Sequence, residues 1–216
     1  MSARERILAG IRARQGKPDA AGEAELESVR SYVTAHARSA APRNVFNPQD
    51  EFRDRALSLA STVALATNLA EVPAVAAQYL RERKLPMHLV CWPELSGLDW
   101  GGSGIAARAG SARSDDLIGV TGAFCAIAET GTLMTLSGPA TPPSASLLPE
   151  THIAVLRCDR IVRSMEDAWD LLRREHKGMP RAVSFISGPS RTADIEQTVT
   201  LGAHGPYRVH IILVLN

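Results

Sequence analysis

Two hydrophobic periods divide the chain. As far as residue 60 the apolar positions recur at helical spacing. From Thr62 onward, short unbroken apolar runs alternate with helical stretches. In the first part Ile7, Leu8 and Ile11 form one short apolar face. The looser Lys17–Gly22 stretch separates it from Glu23–Ala40, where Leu26, Val29 and Val33 make a stripe among charges, and Pro42 stops that helix. Asp50–Ala60 places Phe52, Ala56 and Leu59 at i, i+4 and i+7.

The second part reads as strands at Thr62–Thr67, Met87–Trp92, Ile105–Ala109, Leu117–Val120, Ala123–Ala128, Thr132–Leu136, His152–Cys158, Ala182–Ile186 and Arg208–Leu215. Helices fit Glu71–Lys84, with Pro73 in its first turn, and Glu166–His176. Glu94–Gly104 and Ser137–Pro149 read as connections, and Gly188–Gln197 as a loop leading into a helical turn. Alternation of this kind predicts an α/β fold. A mostly parallel sheet carries Met87–Trp92, Leu117–Val120, His152–Cys158, Ala182–Ile186 and Arg208–Leu215, with helices on both faces. Glu129-Thr130-Gly131 joins two of the runs as an antiparallel hairpin. The expected organisation is a helical extension over residues 1–60 and an α/β domain over 61–216.

Length and composition fit that picture. The 216 residues are 45% hydrophobic and 22% charged, which excludes a disordered chain, a coiled coil and a fibre. A net charge of +1 gives no global basic field for nucleic acid. The apolar stretch from Ile7 ends at Arg12, too short for a signal segment. The longest charge-free run, between Glu129 and Glu150, carries four prolines and cannot span a membrane. A cytoplasmic protein is expected. Cys91, Cys125 and Cys158 stand far apart among apolar residues, with no Cys-x-x-Cys, and no histidine pair has helical metal-site spacing. No metal or other cofactor is therefore expected in this chain.

Three loops crowd small polar residues at the ends of apolar strands, where α/β sheets bind ligands. The first runs from Gly119 to Met134 and includes Thr121, Gly122, Thr130, Gly131 and Thr132 around Glu129, the only acid between Asp116 and Glu150. Glu129 suits a general base, a nucleophile or a hydroxyl-binding group; equally it suits a solvated hairpin acid. The second, Ser187–Glu196, sets Gly188, Ser190, Arg191 and Thr192 after a strand. Backbone N–H groups and a guanidinium could converge there on one anion, or Ser190 or Thr192 could simply cap a helix while Asp194 orients Arg191. In the third, Leu201–Tyr207, His204 lies at a turn and could hold a carboxylate, move a proton or face solvent. His152 and His210 fall inside apolar strands and read as packed core residues.

The same loops carry a resemblance. Gly119–Leu136, with Ala126-Ile-Ala-Glu-Thr-Gly-Thr-Leu at its heart, resembles the LUD domain of LutC-type lactate-utilisation proteins. So do Ser184–Gln197, Leu201-Gly-Ala-His-Gly-Pro, Ser146–Val155 and the opening Arg6–Arg12. At Phe124-Cys125 the chain departs from the family, where Asp-Phe is more usual, and one carboxylate near Glu129 is lost. The resemblance implies a fold similar to the glucosamine-phosphate deaminase, ribose-phosphate isomerase and CoA-transferase group, and a part in oxidising L-lactate to pyruvate beside iron–sulfur partner proteins. It supplies no established catalytic residue. The expectation is an accessory subunit that binds a small anionic ligand between the Gly188–Thr192 loop and the Glu129–Thr132 turn. The alternative is a free-standing isomerase, CoA-transferase or cyclo-ligase-like enzyme, with Glu129 as its catalytic group.

Overall fold

A computed structural model describes residues 2–18, 20–38, 47–192, 200–202 and 204–216. The chain divides into two compact units, Met1–Ala40 and Ala41–Asn216. In the first, α1 (Ala3–Arg14) is held at its start by a reciprocal capping box between Ser2 and Glu5. A second helix, α2 (Glu23–Ala35), follows, and neither helix buries a residue.

The second unit begins its regular structure with α3 (Pro48–Ser58). Asn47 accepts from the N–H groups of Gln49 and Asp50, and Pro48 occupies the first turn. The chain continues through β1 (Thr62–Ala66), α4 (Val72–Glu82), β2 (His88–Cys91), β3 (Ala106–Ala109), β4 (Ile118–Gly122), β5 (Cys125–Ile127) and β6 (Thr132–Leu136). It then runs through α5 (Ser144–Leu147), β7 (Thr151–Arg157), β8 (Ile161–Val162), α6 (Met165–Glu175) and β9 (Val183–Ile186). It ends with β10 (Arg191–Thr192), β11 (Thr200–Leu201) and β12 (Arg208–Val214).

Six strands in the order β1-β12-β7-β4-β2-β3 form one sheet, and every described pairing in it is parallel. The inner strands β12, β7 and β4 are buried almost end to end because both their faces are covered, whereas the edge strands β1 and β3 keep exposed residues. Along β7, Ile153 and Val155 point to one face and join Val72, Ala76 and Leu80 of α4. Ala154 and Leu156 point to the other and meet Phe52 and Ala56 of α3, together with Ala126 and Leu133. The latter two belong to a second sheet, β8-β5-β6-β9, whose far side packs on Ala168 and Leu172 of α6. The β5–β6 pair is the expected antiparallel hairpin. Among the described residues no helix is long and apolar enough to cross a membrane.

The structure differs from the sequence reading at three places. Ala182–Ile186 was expected in the central sheet. Instead β9 lies at the edge of the small sheet, antiparallel to β6. Its residues are only partly buried, since α6 delivers the chain back to the layer that α6 itself covers. A short apolar run cannot distinguish a central strand from such an edge. Secondly, Arg191–Thr192 pairs antiparallel with Thr200–Leu201, so a β-arm stands where the loop was read; the expected helical turn, with Asp194 and Glu196, lies outside the described residues. Thirdly, the division between units falls at residues 40 and 41 rather than at 60 and 61. Phe52 and Ala56 are completely buried, which ties α3 to the sheet core.

Candidate functional site

In a parallel sheet all carboxyl ends lie along one edge. Here the connection leaving β2 leads to β3 on one side, and the connection leaving β4 leads, through the small sheet, to β7 on the other. The two loops part between neighbouring strands and leave a crevice, the usual ligand position in such sheets. Two adjoining cavities of about 420 and 560 Å³ occupy it, and both are lined by Glu94, Ala123 and Phe124. The larger also meets Gly122, Val155, Arg157, Asp159 and Arg160. The smaller is walled by Trp92, Ser137, Thr141 and His176.

The walls are fixed by contacts across elements. Trp92 Nε1 donates to the Pro142 carbonyl at 3.1 Å. Arg160 donates through Nε to the Phe124 carbonyl at 2.9 Å, and through both terminal nitrogens to Glu175 at 2.7 and 2.8 Å. Its guanidinium carbon lies 4.8 Å from the Phe124 ring centre, and the His176 ring meets the same phenyl group edge-on at 5.6 Å. Arg157 binds Asp159 through Nε and Nη2, at 3.1 and 2.9 Å, and no described contact uses its Nη1. The neighbouring guanidinium holds the Asp159 carboxyl below its ordinary pKa.

Glu94 is different. Among the described residues none donates a hydrogen bond to it or pairs with its charge. It sits inside the 3₁₀ turn Pro93–Leu95, and its carboxylate lies over Gly122, where any side chain would collide with Oε1. Loss of hydration at this seat raises the Glu94 pKa above the ordinary carboxylate value. An acid that titrates closer to neutrality, in a crevice with aromatic walls, can bind or exchange a proton with a ligand.

The residues singled out in the sequence fall elsewhere, with one exception. Gly122 is the seat of Glu94. Thr121 is completely buried, and its hydroxyl meets His152 Nε2 at 2.8 Å. Glu129 Oε1 accepts from the Met165 N–H at 3.0 Å, at the first turn of α6, and its own N–H bonds the Arg163 carbonyl. The carboxylate therefore complements a helix N-terminus. Thr130 is exposed. Gly131 turns with φ +65° against Arg55 and Ala56 of α3, and Thr132 Oγ1 meets Ser187 Oγ at 2.7 Å. That bond does bring the two expected loops together, but α3 packs into the junction. Gly188, at φ +80°, lies against the Leu59 carbonyl, to which Arg191 Nη2 also donates at 3.3 Å. The Ser190 N–H bonds the Pro206 carbonyl, and Gly205 packs on the Ser190 side chain. His204 is exposed, and Thr192 is described only as backbone of β10.

The sequence reading passed over Trp92, Glu94, Arg157, Asp159, Arg160 and His176, and marked Phe124 only as a departure from the family pattern. One available signal was position: Trp92–Glu94 directly follows the apolar strand β2, as Ala123–Phe124 follows β4. Among the described residues no three His, Cys, Asp or Glu side chains gather as a metal-binding set. The three cysteines are buried and free.

Several known proteins are similar to this chain. Residues 108–214 match the LUD domain. Over 112 residues the chain is 40% identical to lactate utilization protein C of Exiguobacterium sp., covering 50% of this chain and 48% of that protein. Over 100 residues it is 37% identical to lactate utilization protein C of Bacillus subtilis, covering 45% and 42%. An uncharacterized protein of Neisseria meningitidis is 41% identical over 97 residues, covering 45% and 42%. A crystal structure of a DUF162 family protein from Deinococcus radiodurans is similar with a TM-score of 0.57 and 26% identity, over 80% of this chain and 99% of that one.

Residues 108–214 thus match the LUD domain, and about half of the chain is similar to LutC-type proteins. The chain spans about half the length of the curated relatives it matches. The opening Arg6–Arg12 stretch, which also resembles the family, lies outside the matched residues.

Proposed function

We propose that this chain acts in lactate utilisation, as a cytoplasmic accessory or ligand-binding subunit of a system that oxidises L-lactate to pyruvate. The observation that carries this reading is the 40% identity over 112 residues to a lactate utilization protein C. The oxidation releases two electrons and two protons. Three separate buried cysteines provide no ligand set for a cluster, so in this reading the electrons go to iron–sulfur partner proteins. The chain contributes the open crevice beside β2 and β4, where a small organic acid would bind.

Deleting the coding sequence in the source organism should abolish growth on L-lactate as sole carbon source and leave growth on pyruvate intact. Affinity capture from lactate-grown cells should bring down iron–sulfur proteins. Normal growth on L-lactate would overturn the reading.

One observation favours a second reading. The cavities exceed what a three-carbon acid fills. A free-standing isomerase, CoA-transferase or cyclo-ligase-like enzyme would use that space for a larger anionic substrate. Turnover by the purified chain alone would decide for it.

A further inference from the structure

The crevice holds one carboxylate that is placed but not paired. Asp159 is held by Arg157, and Glu175 by Arg160. Glu94 lines both cavities, rests on a glycine whose lack of a side chain makes room for Oε1, and meets no described donor. Glu129 is held by the Met165 N–H at the start of α6, whereas Glu94 is exposed and meets solvent at the mouth of the crevice. Glu94 has aromatic groups and open cavity around it.

We propose that Glu94 is the proton-linked contact of an organic-acid site in this crevice: as a ligand carboxylate enters, Glu94 takes up one proton from solvent and donates it as a hydrogen bond to a ligand oxygen. The carboxylate finds its counter-charge on the Arg157 wall, where Nη1 is uncommitted. The physical cause is like-charge repulsion. A second anion in a space of this size raises the cost of ionised Glu94, and protonation removes that cost while supplying the missing donor. Partial loss of hydration where the carboxylate lies over Gly122 already moves the Glu94 pKa in the required direction, while the rest of the side chain stays exposed. The other charged or titratable groups lining the two cavities are Arg157, Asp159, Arg160 and His176. The two arginines and Asp159 are tied into ion pairs. His176 packs edge-on against Phe124.

This inference rests on the lactate reading for its ligand class, and the test separates the two. L-lactate and pyruvate are titrated calorimetrically into the full chain at several pH values, each in two buffers of different ionisation heat. Uptake of up to one proton is expected on binding, with affinity falling about tenfold per pH unit above the Glu94 pKa. Glu94→Gln should abolish the uptake and flatten the pH profile. Glu129→Gln, whose carboxylate is held at the start of α6 outside the crevice, should leave both unchanged. Gly122→Ala, which displaces Oε1 while retaining the acid, should weaken binding several-fold. Binding without proton uptake, uptake that survives Glu94→Gln, or no binding of either acid at millimolar concentration would each overturn the proposal. If no acid binds yet the deletion strain fails to grow on L-lactate, the lactate reading stands and the Glu94 site falls. If proton-linked binding is seen and the deletion strain grows normally, the site stands and the lactate reading falls.

Discussion

Two loop clusters of this molecule contain the same ingredients, a carboxylate beside glycine at the end of apolar strands, and use them in opposite ways. At the β5–β6 turn, Glu129 is alone in the sequence but not in space, because Met165 opens α6 directly onto its carboxylate. At the crevice, Glu94 stands in an unremarkable stretch, yet folding leaves it without a described donor. The glycines follow suit. Gly188 makes room for the Leu59 carbonyl, a fixed piece of backbone, whereas Gly122 makes room for the mobile end of Glu94. Separation along the chain therefore says little about whether a charge is free. What decides is whether a helix end or a guanidinium is delivered to it.

The largest effect that bears on this contrast comes from pH. His152 and His210 are buried, and burial lowers each pKa from 6.5 to about 4. The folded state therefore binds these protons more weakly than the unfolded one. Their neutral forms support the fold fully above pH 6.5, and that contribution is lost as pH falls through 6.5 toward 4. At about 1.4 kcal/mol per pKa unit, the loss approaches roughly 3 kcal/mol per histidine as an upper bound. Urea denaturation at pH 7 and pH 5 should show the drop, and His152→Gln should reduce it. Ligand affinity through Glu94 rises as pH falls, opposite to this loss of stability, so the two titrations are separable.

Next come the two glycines. Gly188→Ala imposes a side chain at φ +80° and drives it into the Leu59 carbonyl, so a loss of roughly 2–4 kcal/mol is expected by chemical denaturation. Gly122→Ala meets only the flexible end of Glu94 and should cost less than about 1 kcal/mol. Equal losses would erase the distinction between a packing glycine and a seat.

The carboxylates repeat the contrast at smaller scale. Glu129→Gln removes a charge from the first turn of α6 and should cost about 0.5–1 kcal/mol, with ligand titrations unchanged. Glu94→Gln should leave the denaturation midpoint unchanged, since the residue is exposed and has no described partner, while altering ligand binding.

The sequence was most informative where period and burial agree. Runs such as His152–Cys158 and Arg208–Leu215, apolar on both faces, announced central parallel strands, and the helical stripe of Phe52 and Ala56 announced a packed α3. It was least informative where partners come from far along the chain. Ala182–Ile186 has the texture of a core strand, and only its pairing with Thr132–Leu136 makes it an edge. The crevice escaped notice for the same reason. Glu94, Phe124 and Arg160 share no motif, and parallel strand order alone brings them together. Gly122 was noticed for its backbone freedom, whereas its contact with Glu94 depends on the β2–β4 neighbour relation.

Arg191 gives the smallest and most discriminating effect. The loop around it has the residues of an anion site, with a glycine turn, hydroxyls and a planar guanidinium. In the fold, however, Gly188 is occupied by Leu59, the Ser190 N–H is committed to Pro206, and Arg191 Nη2 reaches the Leu59 carbonyl at 3.3 Å from an exposed position. Such a contact tethers the end of α3 to the β-arm and is worth less than about 1 kcal/mol at the surface. Arg191→Lys should therefore shift the denaturation midpoint barely at all and leave calorimetric titrations with L-lactate, pyruvate and phosphate unchanged. Were the loop the anion site, the same substitution would retain the charge but lose the planar fork, weakening binding by roughly 1–3 kcal/mol while stability stayed constant. A drop of that size, with Glu94→Gln silent, would move the functional centre from the crevice at β2 and β4 back to the β-arm.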